Sequence, residues 1–351
     1  MQTPIVGSTP TRRTTPAVII FILVAVVGVF IAKWDPYAIK LGTVTVSHTL
    51  GSSIITDGKP AAPPVGWAAA WSYFVAYFKD IWIALLVGLA MGAGAETLLP
   101  RGWLAQVLGR VGWGSAATMA AAAVPSMMCT CCSAPIAVGL KRSRASTGAV
   151  LAYWVGNPVL NPATIVFMGF VLGWNWALLR IFLGLVVVAG AVYIGNRWGR
   201  DTDALPDLPQ PAAQGTEGSV TVRYFHALGR LSVRLLPEYL IIVAILGAVR
   251  AWLFPAIDPA VGQSLILTLG LAVAGTLFVI PTAGEVPIVQ TLMSSGLNLF
   301  SSGTLMMALP AVSLPSAAML SQAVSRDVLW RLMLWVVVMG LVTGVAAHFL
   351  I

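Results

Sequence analysis

The sequence predicts an all-α polytopic membrane protein made of inverted structural repeats. Each repeat carries a re-entrant helical hairpin and a proline-broken transmembrane helix. Three observations lead there. The 351-residue chain is 58% hydrophobic and only 9% charged, whereas soluble domains carry about 25% charged residues. Several apolar runs are long enough to cross a hydrocarbon core of ~30 Å, which takes about 20 helical residues. Pro135-Ile136 recurs as Pro287-Ile288, and Pro158 recurs as Pro310, both at an offset of 152 (287 − 135 and 310 − 158). The formal charge of +8 does not indicate a nucleic-acid partner. Lys and Arg gather in short loops between apolar runs, as the positive-inside rule expects.

The elements follow in order. An apolar run at 17–32 comes after Arg12 and Arg13. Lys33 and Trp34 follow it rather than a small-x-small cleavage site, so an uncleaved signal anchor is expected. Residues 34–66 are polar and rich in Gly, Pro and Thr and are expected to form an outer loop. Trp67, Trp71, Tyr73, Phe74, Tyr77 and Phe78 precede Lys79 and Asp80, a composition that suits an interfacial helix. Apolar runs then occupy about 81–99, 114–140, 147–171, 176–196, 236–254, 262–295, 302–324 and 329–350. The Pro- and acid-containing stretch 201–219 reads as a linker. The expected organisation is a signal-anchor helix and outer loop (1–66), a first transmembrane repeat (67–200), a cytoplasmic linker (201–222) and a second, inverted repeat (223–351).

Charges orient these runs. Arg12 and Arg13 place the N-terminus in the cytoplasm, and Arg101 and Arg110 follow the second span. Lys141, Arg142 and Arg144 fall on the same side only if 114–140 dips in and returns. Pro125, Pro135 and a Ser/Cys/Thr-rich middle suit such a turn. Three crossings in the first half then start the second half from the opposite side. Its hairpin, 262–295, enters from outside and ends in the uncharged loop around Asn298, and the C-terminus lies outside. The localisation expected is a multi-pass cell membrane protein. Inverted repeats with broken helices near the midplane mark transporters.

The chemistry concentrates at the proposed hairpin tips. All three cysteines lie in 125-PSMMCTCCSAP-135. At offset 152, 129-CTCCS-133 aligns with 281-PTAGE-285. The expected centre therefore holds Cys129, Cys131, Cys132 and Ser133 opposite Thr282 and Glu285. Cysteines in membrane helices often serve as small hydrophobes, but these cluster at one proline-flanked tip. Three sulfurs can surround a soft ion or a pyramidal As(III)-type centre, and Cys129 with Cys132 forms a C-x-x-C that could act as a redox pair. Glu285 is a carboxylate at mid-membrane, where insertion costs ~2.5–3.5 kcal/mol. It could carry a proton, offer an oxygen ligand, or sit protonated against backbone. Glu96 and Glu238 lie near span ends, where snorkelling or capping is expected. The segments 157-NPVLNP-162 and 310-PAVSLP-315 break a span in each half. Asn157, Asn161 and Ser313 there either satisfy freed backbone groups or face a permeant. His48, His226 and His348 are scattered and make no metal set.

These residues resemble a known family. The Cys-containing tip is followed by Pro-Ile-x-x-Gly-Leu (Pro135 to Leu140), a basic run and Asn-Pro-x-x-Asn-Pro. The second half has Gly-Glu-x-Pro (Gly284 to Pro287) and Ser-Leu-Pro (Ser313 to Pro315). The pattern is similar to the predicted permease family (DUF318-like) that includes the organoarsenical efflux permease and the YraQ-type permeases. The resemblance covers roughly 80–340. It implies a permease linked to export of trivalent arsenicals or soft metals.

No G-x-x-x-x-G-K-[ST] is present, and no cofactor motif is seen. A secondary transporter exporting a thiophilic solute or soft metal ion is therefore the leading expectation, with proton coupling through Glu285. Uptake of a sulfur compound such as thiosulfate is the alternative within transport. A membrane thiol oxidoreductase using Cys129 and Cys132 is the alternative from another class. The expected partners are the solute, the lipid bilayer and, optionally, further copies of the chain.

Overall fold

A computed structural model describes residues 14–59, 61–99, 104, 106–199, 220–255 and 264–351. Among these residues it is helical, without strands. Arg12, Arg13, Arg101 and the linker stretch 201–219 lie outside the described residues.

Helix α1 (Thr14–Val29) runs through a π-helical turn, Phe30–Trp34, into α2 (Asp35–Ser47). Pro36 follows the π-turn directly and has no N–H to bond the carbonyl one turn back, a break in the ladder that coincides with the wider turn. His48, left-handed at φ 51°, ends the helix. The expected loop at 34–66 is thus corrected: helix continues to Ser47, and only 48–59 and 61–66 are irregular. The π-turn has a positional effect. Phe30, Ile31 and Trp34 are exposed, while Lys33 is buried at 3% exposure. A π-turn adds a residue to the helical repeat, rotating the side chains that follow, and such turns frequently mark functional sites.

Helix α3 (Trp67–Thr97) is continuous over 31 residues. The aromatic cluster is therefore its first turns rather than a separate interfacial helix. Trp67 and Trp71 face outward, but Tyr73 and Tyr77 are fully buried. The first half continues through α4 (Trp113–Ser126), α5 (Thr130–Arg142), α6 (Thr147–Val159), α7 (Pro162–Val171) and α8 (Trp174–Trp198). The second half is α9 (Val220–Leu253), α10 (Leu265–Leu277), α11 (Glu285–Ser294), α12 (Leu299–Ala311), α13 (Leu314–Leu320) and α14 (Arg326–Leu350).

Among the described residues seven helical stretches are long and apolar enough to span a membrane: Phe21–Ser47, Trp67–Thr97, Thr147–Val171, Trp174–Trp198, Val220–Leu253, Leu299–Leu320 and Arg326–Leu350. At 1.5 Å per residue, a 25-residue helix extends about 37 Å, more than a hydrocarbon core. The α6–α7 and α12–α13 stretches are 72% and 89% buried, against 50% or less for the others. The two proline-broken helices therefore form the centre, and the continuous helices carry the outer apolar surface.

Helix bounds repeat along the chain. Thr147–Val159 and Leu299–Ala311 are offset by 152 at both ends (299 − 147, 311 − 159), and so are Trp174–Trp198 and Arg326–Leu350. Their start signals correspond: the Ser146 hydroxyl accepts from the Ala149 N–H (3.4 Å), and the Asn298 side-chain oxygen from the Ser301 N–H (2.7 Å). Each of these caps satisfies one of the amide donors a helix start leaves unpaired.

Close backbone packing fixes α5 in place. A Cβ on Gly88 of α3 would collide with the Cys132 carbonyl oxygen, and one on Gly92 with that of Pro135. Only glycine lets α3 lie this near the cysteine-bearing helix. At one end of this packing Glu96 is 3% exposed and ion-paired to Arg142 (3.5 Å) and to Arg230. It ties α3, α5 and α9 together, which corrects the snorkelling role expected for it; Glu238 is exposed. At another place Arg250 of α9 binds Asp57 and the Ser72 hydroxyl (3.0 Å) and lies over the Tyr73 ring, pinning the 48–59 segment.

Candidate functional site

The first break separates α4 from α5. Pro125 precedes it, Met127 is left-handed at φ 48°, and α5 starts at Thr130. Asn157 holds this turn. Its side-chain oxygen accepts from the Met128 N–H (3.1 Å) and from the Ser126 hydroxyl, and its amide nitrogen donates to the Tyr153 carbonyl (2.8 Å). Trp154 Nε1 donates to the Thr130 carbonyl (3.0 Å). Backbone polar groups at a break in an apolar interior need such partners.

This turn brings the cysteines together. Cys129 is the N-cap residue of α5, and Cys131 and Cys132 occupy its first turn. The sulfurs of Cys129 and Cys131 are 2.8 Å apart, those of Cys129 and Cys132 3.1 Å, and those of Cys131 and Cys132 3.6 Å. All three are free thiols, buried at 0–3% exposure, and together they form a three-donor group able to hold a metal ion. The irregular part of the tip is shorter than the sequence suggested, because the helix has already begun at Thr130. Convergence follows from helix geometry: N2 and N3 curl back over the N-cap side chain. Ser133 turns away, its hydroxyl donating to the Cys129 and Thr130 carbonyls (3.0 and 3.2 Å). Tyr77 donates to Cys131 Sγ (3.1 Å) and accepts from Tyr239 (2.8 Å).

The second break runs from Phe278 to Gly284, with Ala283 left-handed at φ 65°, and α11 begins at Glu285. Tyr73 donates to the Val279 carbonyl. Glu285 is 1% exposed and pairs through one oxygen with Arg180 of α8 at 3.3 Å. Arg180 also donates to the carbonyls of Val159 (2.9 Å), Pro158 (3.1 Å) and Met306. These carbonyls lie beside the breaks of both central helices, so one guanidinium serves both. The other Glu285 oxygen has no partner. Thr282 accepts from Lys33 Nζ at 2.9 Å, and Lys33 also reaches the Tyr37 hydroxyl (3.4 Å).

The two breaks meet at a small pocket lined by Cys129, Thr130, Thr164, Thr282 and Glu285, with Pro158 and Pro310 in its wall. Thr130 and Ser313 hydroxyls are 3.2 Å apart, and Ser313 bonds Ser316 at 2.7 Å. Asn161 caps α7, its oxygen accepting from Ala163 and Thr164 N–H groups (3.0 and 3.2 Å), while its amide nitrogen has no partner. The residues expected from sequence therefore divide. Cys129, Thr282 and Glu285 line the pocket, with Cys131 and Cys132 directly behind Cys129. Asn157 and Ser133 are engaged by backbone. Asn161 and Ser313 stand at the starts of the helices after the breaks.

Thr130, Thr164, Tyr73 and Trp154 were not singled out for the site in the sequence, and neither were three further contributors. Arg180 is a lone cation inside the apolar run 176–196, Lys33 ends the first apolar run, and Tyr77 was assigned to the interface. A cation in an apolar stretch is expensive, and that cost was the signal available for Arg180 and Lys33.

Seven span-capable helices among the described residues, with two broken ones buried at the centre around charged and thiol side chains, define a multi-pass membrane protein. The chain belongs to the predicted permease family ArsP_1, whose description it matches over residues 16–194 and 126–349. It is 43% identical over 313 residues to the UPF0718 protein YraQ of Escherichia coli (strain K12), covering 88% of this chain and 87% of that protein. No solved structure matches the chain.

Proposed function

We propose that this permease is a secondary transporter for a thiophilic solute, recognised by Cys129, Cys131 and Cys132 at the junction of two helix breaks. The observation that carries this reading is the meeting of three sulfurs, none more than 3.6 Å from another, with a pocket that Glu285 also lines. Soft donors select thiophilic centres such as trivalent (organo)arsenicals or soft metal ions. Export is the preferred direction, through the likeness to arsenical permeases noted in the sequence. Thiosulfate uptake is the second reading, favoured by the buried Lys33 beside the thiols. Full burial of all three thiols argues against exchange with a soluble dithiol partner and hence against an oxidoreductase.

The repeated helix bounds support two structural repeats, 67–200 and 223–351, and the breaks at 127–129 and 278–284 support a re-entrant hairpin in each. The contrast between Lys141, Arg142 and Arg144 and the uncharged loop at Asn298 supports their inversion, with N-terminus inside and C-terminus outside. Single cysteines introduced at 142 and 298 in a cysteine-free background are expected to label from opposite faces; outward labelling at 142 would remove the first hairpin. Glu285, paired to Arg180 by only one oxygen, is proposed to carry a coupling proton.

The substrate reading is tested by thermal stabilisation of the purified protein against As(III) species, Cu(I), Ag(I), Zn(II) and thiosulfate. A ligand at 100 times its Kd should add about 2.7 kcal/mol. If no thiophilic ligand raises the unfolding temperature, the reading fails.

A further inference from the structure

The sulfur cluster does not by itself say what charge the solute carries. Its surroundings do. Among the described residues, Lys33, Arg180 and Glu285 are the buried charged side chains bonded to or lining the breaks and the pocket between them, while Lys40 and Asp80 line the neighbouring pocket. Arg180 and Glu285 neutralise one another. Lys33 is 3% exposed and, among the described residues, has no carboxylate partner; only the Thr282 and Tyr37 hydroxyls are bonded to it. Carboxylates and cations alone thus leave the described centre with one positive charge, Lys33, which the neighbouring thiols also face. A buried unpaired ion is strongly disfavoured until a counter-charge arrives.

Backbone and side-chain donors reinforce this sign. Helices α5 and α11, of 13 and 10 residues, both begin at the pocket, with Thr130 and Glu285 in its lining. Their N-cap residues, Cys129 and Gly284, have no side-chain oxygen; the Cys129 sulfur faces the Cys132 amide, and the Glu285 carboxylate occupies the first turn of α11. Helix N-termini favour negative charge. Part of the opposing carbonyl charge is taken up, since Arg180 takes Pro158, Val159 and Met306 and Tyr73 takes Val279. Thr164, 1% exposed and lining the pocket, has a hydroxyl without a partner, and the buried Asn161 amide nitrogen nearby on the same helix start is also unpaired. A second pocket, lined by Tyr37, Lys40 and Asp80 among others, shares Pro281, Thr282 and Ala283 with the first. Lys33 lines neither pocket itself, but it bonds Thr282, which lines both.

We infer that the site takes its thiophilic solute as a small anion, with the soft atom against Cys129, Cys131 and Cys132 and the charged end toward Lys33 and the starts of α5 and α11. This rests on the cysteines being the recognition site. It adds Lys33, and with it the helix α1–α2, to the transport site. It also excludes bare soft cations as the preferred form, because Lys33 repels them.

Calorimetric titration of the purified full chain with thiosulfate, sulfate and Ag(I) tests the inference, in wild type and in Lys33→Met, Lys33→Arg and Cys129→Ser. Thiosulfate is the soft-ended anion, sulfate its hard-ended analogue, and Ag(I) a soft cation. Thiosulfate is expected to bind wild type and sulfate at least about tenfold more weakly. Lys33→Met should weaken thiosulfate about 10- to 100-fold, the scale of a lost charge-assisted hydrogen bond, and should not weaken Ag(I). Lys33→Arg should restore most of the thiosulfate affinity. Ag(I) binding that depends on Cys129, with no thiosulfate binding to wild type, overturns the anion inference and leaves the thiophilic reading standing. Thiosulfate binding equally in wild type and Lys33→Met also overturns it. Indifference of every ligand to Cys129→Ser defeats the thiophilic reading itself. If Lys33→Met does not fold, the wild-type ranking of the three ligands and the Lys33→Arg variant still decide.

Discussion

The breaks at 127–129 and 278–284 share a geometry and differ in chemistry. Each follows a short helix, contains one non-glycine residue in the left-handed region, and ends at the start of a helix facing the same pocket. The first supplies three soft donors, and its turn is held by amide and indole groups from α6. The second supplies a carboxylate, and its surroundings are held by ions: Arg180 on Glu285 and Lys33 on Thr282. The contrast suggests a division of labour, with the soft atom recognised at the first break and charge handled at the second, by the Arg180–Glu285 pair and Lys33. Each prediction below perturbs one side and not the other.

The largest effect is expected at the charged break. Arg180→Leu leaves Glu285 buried without its cation and orphans three carbonyls. Breaking one side of a buried pair costs about 3–5 kcal/mol. Size-exclusion profiles and thermal unfolding should show loss of the folded protein; a normal unfolding temperature would mean that Arg180 does not hold the breaks.

Glu285→Gln is gentler on the fold, because the Gln oxygen still accepts from Arg180 and Arg180 keeps its carbonyls. Active transport is nevertheless expected to cease, since the amide cannot carry a proton. Liposome uptake driven by a pH gradient measures this, and an unchanged rate and pH dependence would end the coupling role.

Asn157→Ala acts on the soft break alone. It leaves the Met128 N–H and Ser126 hydroxyl without their acceptor, a loss of about 1–3 kcal/mol. Thermal unfolding should fall by a corresponding amount and soft-ligand affinity should drop, because the turn that gathers the sulfurs loosens. A stability loss with intact affinity would separate the turn from recognition.

Much of this arrangement was legible in sequence, for identifiable reasons. Proline placement and hydropathy located both broken helices, because proline removes a backbone donor wherever it sits. Clustering of the cysteines and the isolation of Glu285 in an apolar run located the two tips. What sequence reading missed were partners separated by long stretches of chain. Nothing local shows that Arg180 meets residues 105 positions away, or that Lys33 meets Thr282 249 positions away. Lys33 was also disguised by its place at the end of an apolar run, where a flanking cation is ordinary. The helical continuation through 35–47 was missed because Gly, Thr and Pro read as loop, although Pro36 falls directly after the π-turn. Tyr73 and Tyr77 were read as interfacial for their neighbours' sake, yet the helical period turns Trp67 and Trp71 outward and the tyrosines inward.

The central claim is that the three thiols recognise the solute. Its most direct test is the combined variant Cys129→Ser, Cys131→Ser and Cys132→Ser, which keeps size and polarity but removes softness. Binding of the thiophilic ligand that stabilises the wild type is measured by the shift in unfolding temperature, alongside a size-exclusion check of the fold. The account predicts a folded protein whose unfolding temperature no longer responds to that ligand. A folded triple variant that still binds and transports the ligand would contradict it, reducing the thiols to packing and leaving Glu285, Asn161 and Thr164 as the groups to examine.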